Sequence, residues 1–154
     1  MKSFKYDILI VGGFGHIGLP LGILFAEKGM NICLYDINKE TYKVIKKGKM
    51  PFTEYGAETL LKKNLKNNKL KLSLDIKSIK EAKNVIITIG TPVDEYLNPK
   101  TKQFVDLFKT IIPFLNKSQN IIIRSSVFPG TCKNIYNLLK NKKFNISYCP
   151  ERIV

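Results

Sequence analysis

Short apolar runs and helically spaced stretches take turns along the whole chain, and this alternation limits the possible folds more than any other feature. "YDILIVG" (6–12) is an apolar run closing on glycine, as expected of a strand buried in a parallel sheet. From Ile17, apolar residues recur at Leu21, Leu24 and Phe25, a helical spacing that Gly29 ends. "MNICLYD" (30–36) reads as a second strand and "KETYKVIKKG" as a second helix ending at Gly48. Past a loop holding Pro51, a short helix is expected near 57–66. "KLKLSL" (69–74) alternates like a more exposed third strand, and "KNVIITIG" (83–90) is a strongly buried fourth. "FVDLFKTIIPFL" puts Phe104, Leu107, Phe108, Ile111, Ile112 and Leu115 on one helical face, with Pro113 near its end. "QNIIIRSS" (119–126), "TCKNIYNLLKN" and "FNISYC" (144–149) then read as strand, helix and strand. The pattern predicts an α/β fold: a doubly wound parallel sheet of about six strands, helices on both faces and right-handed crossovers. No repeat, linker or interior boundary interrupts it, so residues 1–154 are expected to form one domain.

Sheets of this kind take ligands outside the carboxyl ends of their strands, so motifs that follow strands carry the functional information. Gly13, Gly15 and Gly18 form G-x-G-x-x-G between the first strand and the first helix. The first glycine is expected to permit the tight turn, the second to let backbone approach a pyrophosphate, and the third to let helix pack on strand. The loop Gly13, Phe14, Gly15, His16, Ile17, Gly18 is therefore the candidate cofactor-binding segment, its phosphates seated on the helix's N–H groups and positive dipole end. Asp36 ends the second strand 23 residues after Gly13, where a carboxylate can accept both hydroxyls of an adenosine ribose. Strand, turn, helix and acid together predict a Rossmann domain. Asp36 would repel a 2′-phosphate, which favours NAD over NADP; Lys39 nearby softens that preference. His16, the single histidine, sits at a variable position of the motif and reads as a spacer near the phosphates, not a catalytic group.

Composition bears on partners. The net charge is +14, almost all from lysine; the arginines are Arg124 and Arg152. The lysines lie among asparagines ("LKKNLKNNKLK") rather than among aromatics, a pattern of solvated helix faces and not of a nucleic-acid surface. Their field still attracts polyanionic ligands such as nucleotides. Cys33, Cys132 and Cys149 are scattered without metal-ligand spacing, so no metal is expected and a reduced, cytoplasmic setting fits. No apolar run reaches the length of a membrane span.

"GFGHIGLPLG", "TPVDEYLNP", "RSSVFPGT" and "CPERI", in this order and spacing, resemble the amino-terminal domain of the UDP-glucose/GDP-mannose dehydrogenase family. "DEYLNP" and "CPERI" are closer in style to members acting on UDP-N-acetylhexosamines. The resemblance implies an NAD-dependent oxidoreductase that converts the C6 alcohol of a UDP-sugar to a carboxylate by two hydride transfers, for polysaccharide precursor synthesis. It further implies that Thr91 and Pro92 form a turn against the dinucleotide, that Ser126 helps hold a catalytic water and borders the cofactor, and that Glu151 assists thioester hydrolysis. Ser126 stands where the family has threonine, Gly12 is an added glycine, and Gly22 stands where alanine is common. The family's catalytic cysteine, in a later glycine-rich motif, has no counterpart in this chain. Cys132 opens a helix, where the dipole can lower a thiol pKa, yet it occupies a position where the family commonly has threonine; a structural role is expected. The chain is thus expected to be the dinucleotide-binding part of a longer enzyme, inactive alone. That enzyme is implied to be a homodimer joined largely through an absent linking helix, which leaves this fragment free to be a monomer. The alternative from another class is a stand-alone NAD-binding regulatory domain, which has the same fold but no need of "RSSVFPGT" or "CPERI".

Overall fold

A computed structural model describes residues 4–90, 95, 101–139 and 144–150. Six parallel strands form one sheet in the order β3-β2-β1-β4-β5-β6. They are β1 (Tyr6–Val11), β2 (Ile32–Tyr35), β3 (Leu70–Ser73), β4 (Ala82–Ile87), β5 (Asn120–Ile123) and β6 (Asn145–Tyr148). Between them run α1 (Gly18–Glu27), α2 (Lys39–Lys46), α3 (Ala57–Lys66), α4 (Thr101–Ile111) and α5 (Thr131–Leu139). The doubly wound architecture expected from the alternation is what forms.

The strands are near-continuous apolar runs because both faces are covered. Successive β1 residues serve opposite cores: Ile8 and Ile10 meet Leu19, Ile23 and Leu61, whereas Leu9 and Val11 meet Phe104, Phe108 and Ile135. β1, β2 and β4 are wholly buried at their carboxyl halves, while edge strands β3 and β6 carry exposed residues. The strand ends are shorter than the sequence suggests. β4 ends at Ile87 and β5 at Ile123, although the Thr88 amide still donates to Val11 O and the Arg124 amide to Ile87 O, at 2.9 Å each.

Two differences have clear causes. The buried face of α1 is Gly18, Leu19, Gly22, Ile23 and Ala26, while Leu24 is 52% exposed. Close approach decides that orientation: a Cβ on Gly22 would lie 2.5 Å from Leu34 Cδ2, so the helix turns its smallest residues to the sheet. Residues Ile76–Glu81 form a 3₁₀ helix whose Ile76 and Ile79, three residues apart, face the core; it is started by Asp75 accepting from the Lys77 amide at 2.9 Å. Below it Gln119, fully buried, donates from Nε2 to Ile79 O and Ala82 O at 2.7 and 2.5 Å. In α4 the expected face is present, with Phe104, Phe108 and Ile111 buried; Pro113 falls in the 3₁₀ turn Ile112–Phe114 that follows.

Candidate functional site

The carboxyl edge of the sheet gathers the turn after β1, the residues after β2, the end of β4 and Leu107 of α4 around a cleft of about 300 Å³. Gly12, Gly15 and Asp36 line one part of it; Ile37, Ile89 and Leu107 supply apolar walls.

The glycines divide their work differently from expectation. Gly12 makes the tight turn, with φ +80°; a Cβ there would also lie 3.1–3.2 Å from Ile89 and Thr88 atoms. Gly13, expected to permit that turn, is instead required for packing, since its Cβ would lie 2.8 Å from Leu34 Cβ and 2.9 Å from Ile10 O. Gly18 does bring helix to strand: a Cβ there would strike Gly12 O and lie 2.8 Å from Gly13 Cα. Gly15 is different, for its Cβ would meet only Gly12 O, at 3.5 Å. The constraint on it within the protein is slight, so the open space beside it is available to a ligand.

The amides of the loop are unevenly committed. Gly12 and Gly13 donate to Tyr35 O at 3.0 Å each, and Gly15 donates to Gly12 O at 3.2 Å. Phe14, whose ring is buried, gives its amide to Asp36 Oδ2 at 3.2 Å. The amides of His16, Ile17 and Gly18 have no acceptor among the described residues. The helix also lacks a side-chain cap and has no acidic residue in its first turn. An uncapped N-terminus with three open amides and its dipole unopposed has the geometry and polarity that suit an anion.

Asp36 is fixed by donors from both sides. Oδ1 accepts the Ile37 and Asn38 amides at 2.8 and 3.1 Å, so the carboxylate is tied to the start of α2 as well as to the glycine loop. Asn38 in turn caps α2 by accepting the Thr41 amide at 3.0 Å. Beside it, burial and then the carboxylates of Asp36 and Asp75 push the Tyr35 phenol above its ordinary value. His16 is exposed and stacks on Phe52, ring centroids 4.1 Å apart.

Ser126 is exposed beyond the end of β5. Thr91, Pro92 and Glu151 lie outside the described residues. Burial pushes the Cys132 thiol above its ordinary value. It lines a second cavity with Val127, Phe128 and Tyr148. Two hydroxyls were passed over in the sequence. Ser125 Oγ, buried, donates to Ile89 O at 2.7 Å and ties β5 to the end of β4. Thr88 Oγ1 reaches Val11 O and Gly12 O from across the sheet.

An open helix N-terminus, a fixed carboxylate and an apolar cleft at the carboxyl ends of a parallel sheet are the features of a dinucleotide-binding domain. Residues 7–154 match the model of the UDP-glucose/GDP-mannose dehydrogenase family, NAD binding domain. The chain belongs to this family, and its cofactor is NAD. It is 33% identical over 159 residues to a UDP-N-acetyl-D-mannosamine dehydrogenase of Methanococcus maripaludis, covering 99% of this chain and 36% of that protein. A solved UDP-D-ManNAc dehydrogenase from Pyrococcus horikoshii superposes with TM-score 0.85 at 28% identity, over 96% of this chain and 36% of the other. A GDP-mannose dehydrogenase from Pseudomonas aeruginosa shares the fold, with TM-score 0.87 at 22% identity over 96% and 36% of the two chains. The chain spans about a third of the length of the relatives it matches. Among the described residues, no helix is long and apolar enough to cross a membrane.

Proposed function

We propose that this chain is the cofactor-binding part of a nucleotide-sugar 6-dehydrogenase that oxidises the C6 alcohol of a UDP-sugar to a carboxylate. The observation that carries this reading is the open N-terminus of α1, its three uncommitted amides set beside the Asp36 carboxylate. NAD held there supplies the hydride acceptor for both oxidations. The chain's own residues bind and orient: the amides of His16, Ile17 and Gly18 hold the pyrophosphate, and Asp36 accepts the adenosine ribose hydroxyls. Ile37, Ile89 and Leu107 offer apolar surface in the cleft. Asp36 makes a 2′-phosphate costly, because a phosphate would be desolvated beside a carboxylate already fixed by three amides.

Ser126 and Glu151 act on the catalytic water, Thr91 and Pro92 pack on the dinucleotide, and the nucleophilic cysteine belongs to a part of the enzyme that this chain does not contain. In this reading the product feeds polysaccharide synthesis in the cytoplasm, and the complete enzyme is a homodimer. The relatives' activities favour a dehydrogenase over a stand-alone regulatory domain. Calorimetric titration of the chain with NAD and with NADP tests the cofactor half of the reading. Binding of NAD at least about tenfold tighter is expected from one desolvated like-charge contact. Equal affinities would remove Asp36 from its role, and turnover of UDP-sugar by this chain alone would place the chemistry wrongly.

A further inference from the structure

The turn after β1 hangs on one carbonyl group. Gly12 O accepts the Gly15 amide at 3.2 Å, and it is also the atom that a Cβ on Gly18 would strike. Its position therefore sets both the path of the loop and the depth at which α1 begins. Thr88 reaches this group from β4's carboxyl end. Its Oγ1 lies 2.9 Å from Val11 O and 3.2 Å from Gly12 O, and its amide donates to Val11 O at 2.9 Å. The single hydroxyl proton is shared between the carbonyls on either side of the left-handed residue that turns β1 into the loop. The same oxygen lies 2.8 Å from where a Gly18 Cβ would sit, so it touches the start of α1 as well.

We propose that Thr88 is a positioning residue for dinucleotide binding: its hydroxyl holds the Gly12 carbonyl so that the amides of His16, Ile17 and Gly18 are presented together to a pyrophosphate. The proposal rests on reading the glycine loop as the NAD cradle. Without the hydroxyl, Gly12 O keeps one donor, and the peptide after it is no longer fixed from the β4 side. The amides that follow then lose their common aim, whereas Asp36, held by the Ile37 and Asn38 amides, keeps its place. The effect should fall on the phosphates and spare the adenosine.

The test compares Thr88→Val, which keeps the side-chain shape without the hydroxyl, with Thr88→Ser, which keeps the hydroxyl. Each is titrated with NAD by calorimetry and with adenosine by NMR. Thr88→Val should weaken NAD about tenfold, the scale of one lost hydrogen bond with its acceptor left short of a donor. Thr88→Ser should bind NAD, and both variants should bind adenosine, within about twofold of the unsubstituted chain. Unchanged NAD affinity in Thr88→Val overturns the proposal. So does equal loss of NAD and adenosine, which would make Thr88 a general support of the fold, and so does a failure of serine to restore binding. Absence of NAD binding by the unsubstituted chain would instead bring down the cradle reading, and this proposal with it.

Discussion

Gly15→Ala separates a glycine required by the protein from one required by its ligand. Gly15 has no positive φ, and its Cβ would rest 3.5 Å from Gly12 O, an ordinary van der Waals distance. Alanine there should therefore leave stability within about 1 kcal/mol, with the smaller entropy of the unfolded chain acting in its favour. A shift in Tm of under about 4 °C follows for a domain of this size. Binding should respond otherwise. The methyl group enters the cleft that Gly15 lines, where in the proposed reading a pyrophosphate approaches the backbone closely. Overpacking of that order costs about 1–3 kcal/mol, a loss of roughly 5- to 150-fold in NAD affinity. Calorimetry gives the affinity, and thermal unfolding without ligand gives the stability. If Gly15→Ala binds NAD as the unsubstituted chain does, the loop is not where phosphates sit. If Tm falls by much more than the stated shift, the space beside Gly15 is not open.

Asp36→Asn should narrow the preference for NAD over NADP about tenfold by removing a like charge from the 2′-phosphate, measured by paired titrations. Gln119→Leu should destabilise the fold by about 2–4 kcal/mol in urea unfolding, because Ile79 O, Ala82 O and the Asn116 amide all lose a side-chain partner. Cys33, with its thiol pushed up to about 12 by burial, should resist iodoacetamide in the folded chain while exposed Cys149 reacts. The folded pKa of Cys33 lies above its ordinary value of 9.0, so its stabilising contribution is complete below pH 9 and lost as pH rises toward 12, seen as a falling Tm.

Sheet and helices were legible because apolar runs and helical spacing report burial directly, and α3 lies where the pattern places it, at Ala57–Lys66. The orientation of α1 was not legible. Leu24 looks like a core residue by spacing, but Gly18 and Gly22 bring the backbone so close to the sheet that the helix is rotated to expose it. Hydrophobicity gives glycine no weight, while packing gives it a great deal. The same blindness made Gly12 look superfluous, although it alone of the loop glycines adopts the left-handed conformation. Of the site, the glycine loop and Asp36 could be read from spacing. Thr88 could not, because its role depends on β1 and β4 being neighbours, and that order comes from the fold and not from the chain.

The two ends of the sheet show why only one of them is a site. At the amino edge, Asn145 donates to Asn120 Oδ1, Asn120 to Asn84 Oδ1, and Asn84 to Asp7 O, a ladder across four adjacent strands at 3.2, 2.8 and 2.8 Å. Asp7 Oδ2 takes the Asn31 amide at 2.8 Å, which carries the network one strand further. Polar groups there satisfy one another. At the carboxyl edge the same resources are partitioned: Asp36 and Gly12 O consume the Phe14 and Gly15 amides, which stiffens the loop, and three further amides are left without a described acceptor. Backbone donors left open in this way are available to an acceptor from outside, and the hydrogen bonds of their neighbours fix where it would sit. The lysine-rich surface draws anions from a distance, but it cannot choose among them. In the proposed reading, the choice rests with three open amides, a fixed carboxylate and the apolar walls of the cleft.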